Sequence, residues 1–146
     1  MTATQTIAIR GAGIMGLTAA YCLKNALPEA KITIYDPKGF PADNASFMAG
    51  GMLAPYSEIE HMNMDWVKAG LESIQFWGEL PLYTGFVKNG SLLVACAEDR
   101  YILARFKPHL PEEVQTTVAT KDIEPALSGQ FQSGLHLAEE AHLDPR

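Results

Sequence analysis

The chain is poor in cysteine: Cys22 and Cys96 are the only two among 146 residues. Far apart, they form neither a CxxC pair nor a disulfide framework. Their apolar neighbours suggest buried, reduced thiols, as in a cytoplasmic protein. No apolar run approaches the about 20 residues a membrane helix needs. Met1–Gln5 is short, polar and uncharged in its side chains, unlike the basic start and apolar stretch of a signal peptide. Basic residues are scarce, 11 Lys and Arg against 17 Asp and Glu, giving a formal charge of −6. That balance argues against nucleic acid or an anionic membrane as partner. The histidines, His61, His109, His136 and His142, are scattered, so no metal site is expected. No GxSxG nucleophile setting occurs. Hydrophobic residues, by contrast, make up 47%, as in a globular protein with a real core and not in a disordered chain.

The apolar pattern opens with a strand, Thr6–Arg10, and a glycine run, Gly11-Ala12-Gly13-Ile14-Met15-Gly16. An Ala- and Leu-rich helix follows over Leu17–Ala26, stopped by Pro28, and then a strand, Lys31–Tyr35. This is a βαβ unit with a parallel pair. Residues 38–63 lack periodicity and read as a long ordered loop, uncommon unless functional. Val67, Leu71, Ile74 and Trp77 predict an amphipathic helix over 65–80, closed by Pro81, with Trp66, Phe76 and Trp77 as core. A strand is expected over 90–97, and a helix over 99–107 with Tyr101, Ile102, Leu103 and Phe106 inward. Shorter elements are a strand at 115–118, a turn of helix capped by Thr120, and extended pieces at 134–137 and 141–143. Glu112-Glu113 and Glu139-Glu140 read as solvated turn residues. The order predicts an α/β protein, a nucleotide domain with a second domain inserted.

Gly11, Gly13 and Gly16 form GxGxxG between strand and helix. The first allows the tight turn, the second lets backbone approach a pyrophosphate, and the third lets helix pack on strand. The helix start offers N–H groups and a positive dipole end to phosphate oxygens. Asp36, 20 residues after Gly16, ends the second strand, where a carboxylate can bond a ribose diol. These residues point to a dinucleotide and leave NAD and FAD both open. Arg10, just before the loop, is either a surface edge residue or a phosphate-side contact.

The next segment runs Asn44-Ala45-Ser46-Phe47-Met48-Ala49-Gly50-Gly51-Met52-Leu53-Ala54-Pro55. By composition it is a turn. With the glycine loop, and with Thr84-Gly85, Gly90–Ala95, Glu124–Ser128 and His142-Leu143-Asp144-Pro145, it resembles the glycine oxidase branch of the FAD-dependent D-amino-acid oxidase superfamily. The resemblance covers the whole chain, and Gly51-Met52-Leu53-Ala54-Pro55 is its specific part. It implies a Rossmann-like FAD-binding domain with the start of an inserted α+β substrate domain, truncated: cofactor domain over 1–84, substrate domain over 85–135, return over 136–146. It implies that FAD is held at Gly11, Gly13, Ile14, Met15, Gly16, Asp36, Pro37, Ala45 and Ser46, with Gly50, Gly51 and Met52 facing the ring. The family usually has Glu where Asp36 stands, and Ala45 lacks the family's hydroxyl.

The activity implied is oxidation of glycine or another small amine or D-amino acid. A hydride passes from the substrate α-carbon to the flavin, the imine hydrolyses to keto acid and ammonia, and dioxygen takes the electrons to give peroxide. The glycine oxidase branch points to thiamine thiazole synthesis. The family's catalytic residues lie beyond this chain, so none is assigned, and the chain alone is expected to be inactive. A homo-oligomer of the full-length form stays open. The rival readings are an NAD(P)-dependent dehydrogenase and a non-catalytic nucleotide-binding fragment.

Overall fold

The structure, a computed structural model, describes residues 5–39, 41, 43–80 and 84–146. It comprises two compact units, Met1–Gly51 with Pro145–Arg146, and Met52–Asp144.

In the first unit Thr6–Arg10 forms β1, Ile14–Ala26 forms α1 and Lys31–Tyr35 forms β2. The strands pair in parallel, from Thr6 opposite Lys31 to Arg10 opposite Tyr35. A tight turn cannot join parallel strands, and α1 is the crossover. The helix starts at Ile14, earlier than the Leu17 pattern suggests, so Gly16 lies in its first turn. At its other end Lys24 Nζ donates to Pro28 O at 2.6 Å and Ala30 O at 3.2 Å. A cation there complements the negative end of the helix dipole. Pro28 has no N–H with which to continue. No residue of α1 is fully buried, and Cys22 is exposed. The expectation of a buried thiol fails because Cys22 lies beside Tyr21 on a stretch of α1 that is itself exposed. Arg10 is exposed as well.

The second unit opens with a two-residue strand, β2's successor β3 (Met52–Leu53), and contains helix α2 (Met64–Glu79). Strand β4 (Ser91–Leu93) precedes helix α3 (Arg100–Phe106). Then come β5 (Thr116–Ala119), α4 (Thr120–Ile123), β6 (Ser133–Leu137) and β7 (Ala141–His142). β6 is the middle of an antiparallel sheet in the order β4-β6-β5, and β3 pairs antiparallel with β7. Asn63 caps α2, its side chain accepting from the N–H groups of Asp65 and Trp66 at 3.1 Å. Val67 and Ile74, seven apart, are the buried stripe of that helix. Val67 packs with Tyr56, Ile59, Phe106, Leu110, Leu135 and Leu137 in the core.

Several side chains depart from the pattern reading. Trp66 is 67% exposed, because it stands one position off the Val67–Ile74 stripe. Phe76 and Trp77 are half-buried and meet edge-to-face. In α3 only Phe106 is buried; Tyr101 and Ile102 face outward, the helix being too short to seat more than its last turn in the core. The strand expected over 90–97 ends at Leu93, which leaves Cys96 exposed at a turn. Thr120 is the first residue of α4 and not its cap, and its buried hydroxyl has no hydrogen-bond partner among the described residues. Pro81, expected to close α2, lies outside the described residues.

Gly70 on α2 lies against Pro55: a Cβ built there would stand 2.6 Å from the Pro55 Cβ. In an open helix Gly→Ala stabilises by up to about 1 kcal/mol. Here the buried proline ring cannot yield, so Gly70→Ala is expected to lower stability by about 1–3 kcal/mol. Denaturant melts of the intact protein check this. Gly129→Ala, where an added Cβ meets nothing within 4 Å, should show no such loss.

Candidate functional site

The glycine loop is held by a backbone bond and two side chains. Gly11 N donates to Tyr35 O at 2.7 Å, tying the loop to β2. Gly11 has φ +103°, a conformation that side chains resist. A Cβ at Gly16 would collide with the Gly11 carbonyl oxygen, so the third glycine is required for the first turn of α1 to close over β1. Asp36 Oδ2 accepts from Ala12 N at 2.8 Å, and Ser46 Oγ accepts from Ile14 N at 2.9 Å. Asp36 Oδ1 takes a second backbone N–H, from Lys38, at 2.9 Å.

These bonds explain the charge state of Asp36. The Ala12 and Lys38 N–H groups hold its carboxyl below the usual carboxylate range, against a smaller opposing effect of desolvation. The first intrahelical bond of α1 is Leu17 N to Gly13 O, at 3.0 Å. The N–H groups before it have no i−4 carbonyl to use and point out of the helix start, where they favour an anion.

Of the residues expected to contact a cofactor, Gly11, Gly13, Ile14, Met15, Gly16, Asp36 and Ser46 come together around this loop. Ile14 and Met15 are exposed there. A Cβ at Gly13 would lie 3.3 Å from Ser46 Oγ, so the bare backbone keeps a cradle that a side chain would fill. Pro37 and Ala45 are exposed neighbours of Asp36 and Ser46. Gly50 is exposed, with nothing within 4 Å of an added Cβ, and Gly51 has φ +71°. Met52 belongs to the second unit, where it opens β3 and is exposed.

Asn44 escaped the sequence reading as a site residue. Its Oδ1 accepts from Phe47 N at 3.1 Å, making the turn that presents Ser46. With Ala12, Leu17, Ser46 and Phe47 it lines a hollow of about 240 Å³ at the loop. An Asn two residues before the serine was the available signal.

In the second unit Met52, Leu53, Pro55, Glu58, Met62 and Trp66 line a mainly apolar pocket of about 420 Å³. Behind it, the Tyr56 hydroxyl donates to Glu139 Oε2 at 3.2 Å. Burial, reinforced by the Glu139 charge and that bond, pushes the Tyr56 phenol up from its ordinary value. Glu140, expected to be solvated, is fully buried. Its carboxylate accepts from Ser57 N and from the Ser57 hydroxyl, both at 2.8 Å. The partner is 83 residues away in sequence, so the Glu139-Glu140 pair gives no local sign of it.

Residues 6–146 match the pattern of a family described as FAD dependent oxidoreductase, DAO. The chain belongs to that family. It is 36% identical over 141 residues to a Rhizobium etli protein that carries the name of the thiamine biosynthesis oxidoreductase ThiO, covering 96% of this chain and 42% of the relative. It is 35% identical over 68 residues to human D-aspartate oxidase, covering 44% of this chain and 20% of the relative. It is also 28% identical over 147 residues to a Staphylococcus aureus coproporphyrinogen III oxidase, covering 92% and 28%. The chain therefore spans less than half the length of these curated relatives. Family membership implies FAD as the dinucleotide, and the Gly13 cradle and the N–H groups of α1 fit its pyrophosphate.

The Asp36 carboxyl gives a pH prediction. Its folded value lies below the ordinary 3.8, so the stability it contributes is present above that pH and lost as pH falls through the folded value. Denaturant midpoints of the intact protein should therefore fall more steeply below pH 3.8 than those of Asp36→Asn. Parallel acid limbs would show that the Ala12 bond adds nothing.

Proposed function

We propose that this chain supplies the pyrophosphate-binding side of an FAD-dependent amine oxidase of the glycine oxidase type. The observation that supports it most is the glycine loop, with Asp36 and Ser46 bonded to its N–H groups and Gly13 left bare. In this reading the N–H groups of Gly13 and Met15 bind the phosphates, while that of Ile14 is held by Ser46. The Ser46 hydroxyl has given its acceptor side to Ile14, so its own proton is free to turn toward a phosphate oxygen. Each Asp36 oxygen accepts one backbone bond and keeps lone-pair capacity for the ribose hydroxyls. Gly50 and Gly51, which carry no side chain, would hold the ring by their backbone, and Met52 would border the substrate space.

FAD, held by the glycine loop, Asp36 and Ser46, would supply the two-electron acceptor for amine oxidation with dioxygen as the final oxidant. The protein positions the cofactor and limits access to it. The substrate proposed is glycine or another small amine or D-amino acid, converted to keto acid, ammonia and hydrogen peroxide. The name of the human relative supports an amine substrate, and that of the Rhizobium relative supports a place in thiamine biosynthesis. A cytoplasmic setting fits the low cysteine content.

Three measurements test this reading. Cofactor released from the intact protein should chromatograph as FAD; recovery of a nicotinamide dinucleotide would overturn the proposal. Gly13→Val should abolish cofactor binding with the circular dichroism nearly unchanged, since its methyl groups would fill the cradle beside Ser46. Normal affinity in that variant would place the phosphates elsewhere. Met52→Ala should shift KM or substrate preference among glycine, sarcosine and D-alanine in a peroxide assay, while FAD content stays at the wild-type level. Unchanged kinetics on all three would remove Met52 from the site.

A further inference from the structure

The segment Met52–Pro55 forms one wall of the 420 Å³ pocket, and three contacts hold it and the residues that follow to Ser57. At its start, Met52 and Leu53 pair with His142 and Ala141 of β7. At its middle, buried Pro55 rests against Gly70 of α2. At its end, the Glu140 carboxylate takes both the N–H and the hydroxyl of Ser57, each at 2.8 Å. Glu140 immediately precedes Ala141, the partner of Leu53. One short stretch, 140–142, therefore grips the wall at both ends, by its backbone at 52–53 and by its side chain at 57.

Glu140 is completely buried, and no Lys, Arg or His comes within ion-pair distance of it among the described residues. A buried carboxylate without a cation is a costly way to stabilise a fold, and an apolar side chain of similar size serves that purpose better. What a carboxylate does that an apolar group cannot is fix two donors of one residue at once. Its backbone is fixed in turn: Glu140 N donates to Leu137 O at 3.2 Å, and Glu140 O accepts from Gly90 N at 3.0 Å. Both of those partners belong to the chain around β4 and β6, so the clamp refers the pocket wall to the central sheet.

We infer that Glu140 is a positioning residue, which sets the place of Met52–Pro55 along the pocket through Ser57. Its effect on turnover rests on the amine oxidase reading; its effect on the wall does not. The test uses the intact protein with its cofactor, as wild type, Glu140→Ala, Glu140→Gln and Ser57→Ala. Hydrogen–deuterium exchange of peptides spanning 52–58 reports the wall directly, and steady-state kinetics with glycine or sarcosine report its consequence.

Glu140→Ala is expected to speed exchange in 52–58 and to raise KM about tenfold or more, as a displacement approaching 1 Å would, at unchanged FAD content. Glu140→Gln keeps an acceptor for Ser57 N–H and can turn its amide toward the Ser57 oxygen. It should restore slow exchange and most of the KM. Ser57→Ala loses one of the two bonds and should fall between them, which keeps the test decisive should Glu140→Ala fail to fold. Wild-type exchange in 52–58 in both Glu140→Ala and Ser57→Ala would overturn the inference. So would a loss of thermal stability shared equally by Ala and Gln variants with KM unchanged. If the wild type oxidises neither amine, the oxidase reading fails and the exchange measurements still decide the role of Glu140.

Discussion

The first turn of a helix cannot satisfy its own N–H groups, and the first unit is organised around that fact. At α1 two of the donors in and before the first turn receive side-chain oxygens from distant points: Asp36 at the end of β2 for Ala12, Ser46 on the following loop for Ile14. Each bond fixes the loop to an element that the chain reaches later. The remaining donors face outward with the positive end of the helix dipole, which is the property a pyrophosphate needs. The acidic net charge of the chain is no obstacle, since no Lys or Arg enters this arrangement.

The short acid at position 36 follows from the same geometry. An Asp ending β2 has its carboxylate close enough to the loop to bond Ala12 N at 2.8 Å, while its other oxygen takes Lys38 N. Where the superfamily usually carries Glu, the side chain is one methylene longer. Asp36 braces the loop with one oxygen and the start of the following turn with the other. The loss of a hydroxyl at Ala45 fits the same economy, because the bond to the helix start is made by its neighbour Ser46 and Ala45 itself is exposed.

The parts legible in the sequence are those whose cause is local. β1, α1 and β2 were marked by a β-branched run, three glycines and Pro28; α2 was marked by the spacing of Val67, Leu71 and Ile74. The misread residues depend on what lies across space. Trp66 has the composition of a core residue, but one step of about 100° around the helix carries it off the buried stripe. Cys22 has apolar neighbours in sequence but sits on a helix of which no residue is fully buried. Glu140 looks like half of a solvated acidic pair until β7 pairs with β3 and brings Ser57 to it. The family resemblance located the loop containing Met52, yet it carried no information on what holds that loop in place.

That contrast separates two ways of building a site. The nucleotide side is made chiefly of backbone, so its specification is short: glycines where a Cβ cannot stand, and an oxygen-bearing side chain wherever an N–H needs one. At this loop Asp36 and Ser46 are those side chains. The pocket wall in the second unit is held by the pairing of Met52 and Leu53 with β7 and by side chains that meet across 83 residues. Gly70 admits no Cβ beside Pro55, and Ser57 requires an acceptor at the one place Glu140 provides it. The pocket wall is therefore the more sensitive to substitution, because a change on either side of these contacts must be matched on the other. Backbone donors tolerate a change in the side chains around them, whereas a buried carboxylate that holds both donors of Ser57 sets one geometry and keeps it.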